Sequence, residues 1–139
     1  MGVNKFNSEG FYDPTPYEAL TNILREERKD RSYRPLVYVC SPYAGKVDMN
    51  LENARKYSRF AVDRGYIPVT PHLYLPQFMS EETERDLIMF MDIVLLSKCA
   101  ELWVFGNEIS PGMSIEIDRA NRKAQPIRYF TEDLKEVTR

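Results

Sequence analysis

The sequence predicts an α/β fold: a Rossmann-like or flavodoxin-like three-layer sandwich with roughly four or five parallel strands, plus an N-terminal helix. Three observations predict it. Apolar runs of strand length, at residues 36–40 and 102–105, alternate with longer segments of helical period. Those runs are almost continuously apolar, as strands covered on both faces are. The helical segments between them carry their own start and stop signals. Alternation of this kind means parallel strands joined by right-handed crossovers, with helices on both faces.

Residues 1–14 are rich in Asn, Gly and Ser, lack periodicity and are expected to form a flexible arm. Residues 15–139 are expected to form a single domain. Thr15-Pro16-Tyr17-Glu18 is a capping box with proline at the first helical position. It predicts a helix to about Lys29, with Tyr17, Leu20, Ile23 and Leu24 as its apolar stripe. After the strand at 36–40 comes the loop Ser41-Pro42-Tyr43-Ala44-Gly45. Asn50 is expected to cap a helix that ends near Arg64, with Gly65 as its stop. Ile67-Pro68-Val69 reads as a short strand near the sheet edge, because proline cannot donate to a ladder.

Residues 70–78 form a proline-punctuated loop rich in aromatic side chains. Ser80, Glu81 and Glu82 are expected to start the next helix, with Leu87, Ile88, Met91, Val94 and Leu95 on its apolar face and Asp92 beside that face. After the strand at 102–105, Ser110 caps and Pro111 begins a helix reaching about Lys123. Residues 127–130 make a last strand, and Thr131 onwards is expected to make a final helical turn.

Composition narrows the function. The net charge of −2 offers no basic field for a nucleic-acid polymer. No apolar run nears the length of a membrane span, and the N-terminus lacks a signal-peptide core, so a cytoplasmic location is expected. Cys40 and Cys99 are far apart in apolar contexts, where free thiols are the expected state. A single histidine, His72, rules out a histidine-rich metal site, and no metal or cofactor is expected.

Ligands of such sheets bind at the carboxyl ends of the strands. Residues 41–45, 70–78 and 106–112 fall there. Residues 41–46 lack the G-x-x-x-x-G-K-[ST] frame, which excludes a Walker A loop, and no G-x-G-x-x-G occurs. That turn can be structural or can offer Tyr43 to a ligand. His72 can move a proton near neutral pH or can simply hold a loop by a hydrogen bond. Gly112 bares backbone at the positive end of a helix, a place suited to an anion. Glu116 lies one turn further on the same face. Spacing alone leaves two readings of Glu116: a solvated carboxylate beside Arg119 on an ordinary capped helix, or an acid set above an anion site. Asp92, in the middle of an apolar helix, either reaches solvent at the stripe's edge or has a partner. Paired carboxyl groups at Asp92 and Glu116 would suit chemistry at a glycosidic carbon.

Taken in order, S-P-Y-x-G at 41–45, the Pro71-His72 pair, Asp92, L-W-V-F-G at 102–106 and S-x-G-M-x-x-E at 110–116 form a pattern. It resembles the nucleoside 2-deoxyribosyltransferase-like superfamily, in particular its small bacterial and phage branches, over roughly residues 36–130. The resemblance implies Glu116 as nucleophile at the anomeric carbon and Asp92 as the group that protonates or holds the leaving base. The transferases carry an acidic residue six positions before the nucleophile; here it is Ser110. That serine, with Gly112 two residues on, matches the nucleoside 5′-monophosphate N-glycosidases. The physics agrees, because a capped helix start attracts a phosphate that a carboxylate would repel. Tyr43 matches a position that contacts sugar or base. The Gly-rich, Arg-containing first loop of the monophosphate hydrolases is replaced here, and Lys46 is the candidate for its charge.

The expected activity is cleavage or transfer of the N-glycosidic bond of a nucleoside or nucleotide. Glu116 and Asp92 are its expected catalytic residues, and Ser41, Tyr43, Gly45, His72, Ser110, Gly112 and Met113 its substrate-binding ones. The resemblance also implies a homodimer or higher homo-oligomer. The alternatives are a non-catalytic nucleotide-binding or sensing module, and a partner-binding scaffold built on the aromatic loop at 72–78.

Overall fold

The structure, a computed structural model, describes residues 15–29 and 33–139. The expected arm at 1–14 lies outside the described residues. Contacts divide the chain into two compact units, Met1–Tyr33 and Arg34–Arg139. In the first, helix α1 spans Pro16–Lys29. Thr15 Oγ1 accepts from the Glu18 N–H at 3.1 Å, the capping contact the Thr-Pro start calls for.

The second unit holds a five-stranded sheet and three helices. In chain order these are β1 (Leu36–Cys40), α2 (Val47–Asp63), β2 (Ile67–Val69), α3 (Arg85–Ser97), β3 (Glu101–Phe105), α4 (Pro111–Arg122), β4 (Ile127–Phe130) and β5 (Glu136–Val137). The strand order is β2-β1-β3-β4-β5, and the first four strands run parallel. The architecture is the doubly wound α/β sandwich that alternation predicts.

Strand alternation sorts the core into two halves. Val37, Val39, Trp103 and Phe105 face Tyr57 and Ala61 of α2. Tyr38, Cys40, Leu102 and Val104 face Leu96 of α3 and Met113 and Ala120 of α4. So α2 covers one face, and α3 with α4 covers the other. The chain turns back between β1 and β3, because β1 leads outward to β2 while β3 leads outward to β4. A crevice at such a switch point is where open α/β sheets bind ligands.

The structure corrects several local expectations. Asn50 is not the cap of α2, which begins at Val47. It sits inside the helix, where its side-chain amide donates to the carbonyls of Tyr43 and Ala44 at 3.0 and 3.2 Å. A residue with capping chemistry is used here to pin the loop before the helix. The helix expected from Ser80 starts later, at Arg85. Ser80 does cap a turn, accepting from the Thr83 N–H at 3.3 Å, while Glu84 Oε1 takes the Ser80 N–H at 3.0 Å. That closed turn ends before α3 begins.

The buried stripe of α3 is also shifted. Ile88, Asp92 and Leu96 point inward, while Leu87 and Val94 are exposed. Asp92 therefore lies at the centre of the buried face rather than beside it. The final helical turn is absent: residues 136–137 form β5, antiparallel to β4. Arg128 binds Glu136 through two nitrogens at 2.9 and 2.7 Å, tying that short strand to its neighbour. The sheet is thus parallel except at this edge.

Candidate functional site

A cavity of about 320 Å³ opens at the carboxyl ends of β1 and β3. The loop after β1 contributes Ser41 and Tyr43, and the loop after β2 contributes His72. Helix α3 contributes Arg85, Ile88, Met89 and Asp92, and the turn before it contributes Glu81. Ser110, Gly112, Met113 and Glu116 come from the start of α4. Residues far apart in sequence meet here because every crossover returns to the same sheet edge.

Gly45 and Lys46 are not among the lining residues. Gly45 has φ of +94°, so it makes the turn into α2 that a side chain would strain. Lys46 occupies the N-cap position of α2, outside the wall. The cation at the cavity is Arg85 instead.

Serine 110 caps α4, its Oγ accepting from the Met113 N–H at 3.2 Å. Proline 111 removes one of the orphan N–H groups of that end, and Gly112 leaves its backbone uncovered by a side chain. Met89 lies beside it: a Cβ on Gly112 would meet Met89 Cε at 3.5 Å. The two helices therefore pack with Met89 level with Gly112, and Asp92 level with Glu116.

Both acids are buried, Asp92 with 4% of its surface exposed and Glu116 with 2%. No ion pair joins Glu116 to Arg119 among the described residues. Asp92 Oδ1, Glu116 Oε2 and Ser41 Oγ are buried without a hydrogen-bond partner in the protein. A buried polar atom left unmatched costs roughly 1–3 kcal/mol. Three such atoms around one cavity mark a place built for something other than stability.

The electrostatics follow from burial. Loss of water pushes the Asp92 carboxyl up to about 7, and the charge of Glu81 adds to the shift. Loss of water pushes Glu116 up to about 8; its contact with the Tyr38 hydroxyl opposes this, and the charge of Asp92 adds to it. Tyr38 itself is held well above its ordinary range by burial and then by Glu116 and Asp92, so it stays a phenol. Cys40 is likewise kept a thiol by burial, which removes it as a nucleophile.

His72 Nε2 donates to the Ser41 carbonyl at 3.0 Å, since a carbonyl can only accept. Its ring stacks on Tyr43, with centroids 5.2 Å apart and planes 17° from parallel. Burial lowers its pKa, the bond to Ser41 opposing, so the ring is neutral near pH 7. His72 thereby ties the loop after β2 to the loop after β1.

Sequence reasoning did not single out Tyr38, Glu81, Arg85 or Met89. Tyr38 carried a usable signal, because strand alternation places it and Cys40 on the face that Glu116 covers. Glu81 was expected only as an acid at a helix start and Arg85 drew no reading; their place in the cavity follows from how α3 lies against α4.

The family that matches the chain, over residues 35–130, is described as Domain of unknown function (DUF7768). The chain belongs to this family. Every lining residue named above falls within the matched span, so the cavity is a feature of the DUF7768 domain itself. No curated protein matches the chain in sequence. Among solved structures it is similar to the 2-deoxyribosyltransferase of the psychrotolerant bacterium Bacillus psychrosaccharolyticus, described as a biocatalyst for the synthesis of antiviral and antitumoral nucleosides. The TM-score is 0.57 at 17% identity, covering 75% of this chain and 77% of that one. At that identity the likeness establishes a shared fold. No helix among the described residues is long and apolar enough to cross a membrane. Nor does any group of three or more metal-ligating side chains occur among them.

Proposed function

We propose that this DUF7768 domain cleaves or transfers the N-glycosidic bond of a nucleoside or nucleotide, with Glu116 as nucleophile and Asp92 as proton donor. One observation carries the reading: two buried carboxyl groups with raised pKa values meet in one cavity, beside a capped and uncovered helix start. Such a pair is the working part of most retaining glycosidases. The fold shared with a 2-deoxyribosyltransferase supports the same class of reaction.

In the first step a Glu116 carboxylate oxygen attacks C1′. The C1′–N bond breaks, and its electron pair leaves with the base. The base takes the Asp92 proton, directly or through water. A glycosyl ester on Glu116 results. In the second step water or another base attacks C1′ and loses a proton to the Asp92 carboxylate. The C1′–O bond to Glu116 then breaks, which restores both groups. Tyr38 holds Glu116 through its hydroxyl, and His72 with Ser41 holds the loop that carries Tyr43.

This chemistry needs one proton on the pair. Below about pH 7 both carboxyl groups are protonated and no nucleophile exists; above about pH 8 both are ionised and no acid remains; between them the one proton rests mostly on Glu116, so the reactive form, with the proton moved to Asp92, is the less populated of the two. Incubating the protein with a panel of nucleosides and their 5′-monophosphates, with chromatography of the free base, tests the reading. Base release with a bell-shaped pH profile peaking between about 7 and 8 is expected. An empty panel across that range would refute the activity.

A further inference from the structure

We infer that Arg85 selects the substrate: its guanidinium is the counter-charge for a phosphoryl group docked at the start of α4, so phosphorylated nucleosides are preferred to their uncharged parents. This rests on the activity proposed above and adds the residue that sets its substrate class.

Arg85 is the first residue of α3 and lines the cavity. Met89, four residues on and on the same face, packs against Gly112. Arg85 therefore stands one turn beyond that contact, over the open end of α4. Asp92, seven residues on, lies about 10 Å deeper along the helix axis and level with Glu116. The cavity thus has Arg85 at its mouth, with Glu81 from the preceding turn, and two acids at its floor. A 5′-phosphorylated nucleoside has the matching polarity, with its anion at one end and C1′ further in.

Three further observations point the same way. Arg85 makes no hydrogen bond or ion pair among the described residues, whereas Arg59, Arg122 and Arg128 are each paired with a carboxylate. The starts of α3 and α4 converge at this mouth, and each presents backbone N–H groups and the positive end of a helix dipole. The orphaned Ser41 Oγ, Asp92 Oδ1 and Glu116 Oε2 leave the cavity below with polar atoms that the protein does not partner and that a ligand can engage. Glu81 also lines the cavity, and its charge acts on Asp92 and Tyr43.

An arginine that meets a phosphate with two N–H donors contributes roughly 1.5–3 kcal/mol, or about 10- to 100-fold in affinity. Base release from 5′-monophosphates and from the matching free nucleosides is to be measured for wild type, Arg85→Gln and Arg85→Lys, with inorganic phosphate as a competing anion. Wild type is expected to prefer the monophosphates. Arg85→Gln should narrow that preference at least about tenfold, mostly through KM, and weaken inhibition by inorganic phosphate in parallel. Arg85→Lys should recover part of both, because lysine supplies the charge without the fork. An unchanged preference in Arg85→Gln, or a wild type that prefers free nucleosides, overturns the assignment while leaving the glycosidic reading intact. If no substrate is turned over, that reading fails instead. Calorimetric binding of the monophosphates then decides for Arg85: affinity lost in Arg85→Gln sustains it, and equal affinity overturns it.

Discussion

Replacing Glu116 by Gln should lower base release on the order of a thousandfold or more, with the fold intact. Glutamine has nearly the same shape and is neutral, so it meets the buried site without the penalty of an isolated charge. What it cannot do is attack C1′, because an amide oxygen is a far weaker nucleophile than a carboxylate. Loss of activity in a variant whose melting temperature is unchanged or raised therefore isolates the chemistry from the packing. Substrate affinity should survive, since the helix start and Arg85 are untouched. Mass spectrometry of rapidly quenched wild-type protein should show a glycosyl adduct on the peptide bearing Glu116, and the variant should show none. Residual release within about tenfold of wild type would remove Glu116 from the nucleophile's role. Asp92→Asn should act differently, slowing good leaving bases least, because those need a proton least.

The second large effect is on stability. An unfolded chain ionises Asp92 and Glu116 near pH 4, whereas the folded chain holds their protons until about pH 7 and about pH 8. Between those limits the folded state binds more protons than the unfolded one. Stability therefore falls as pH rises through this window, the reverse of the usual salt-bridged carboxylate. Glu116→Gln keeps its neutral form at every pH and should escape its share of the loss. Thermal or urea denaturation from about pH 5 to about pH 9 reads the difference. The variant should gain on wild type by on the order of a few kcal/mol across that range, levelling off above about pH 8. A constant gap would mean that Glu116 is already ionised in the folded protein at neutral pH, and the buried-acid account would fail with it. Such a burden is what a site kept for function, against stability, is expected to impose.

Local pattern decided much of this molecule. The strands at 36–40 and 102–105 are apolar because both faces are covered, and that was legible from composition alone. Ser110 and Pro111 stated where α4 begins, because a cap is a contact between residues three apart. Glu116 stood out as an acid one turn beyond a bared helix start, and Asp92 as an acid in the middle of an apolar helix. Whether they were solvated or buried, however, is a property of how α3 and α4 are rotated against the sheet. No window along one helix contains that rotation, which is why Asp92 was placed beside the stripe rather than at its centre.

Elements that depend on distant partners escaped the sequence for the same reason. Strand β5 has two residues and no period of its own; it exists because Arg128 and the edge of β4 are there to hold it. Asn50 has the chemistry of a cap, and only the folded loop at Tyr43 and Ala44 determines that its amide is used elsewhere. Arg85 is a surface charge until Met89 packs on Gly112 and carries it over the start of α4. Short-range hydrogen bonding and hydrophobic period thus set the order of elements and the identity of the acids. Long-range packing set their burial, and with it the raised pKa values and the polarity of the cavity on which the proposed chemistry depends.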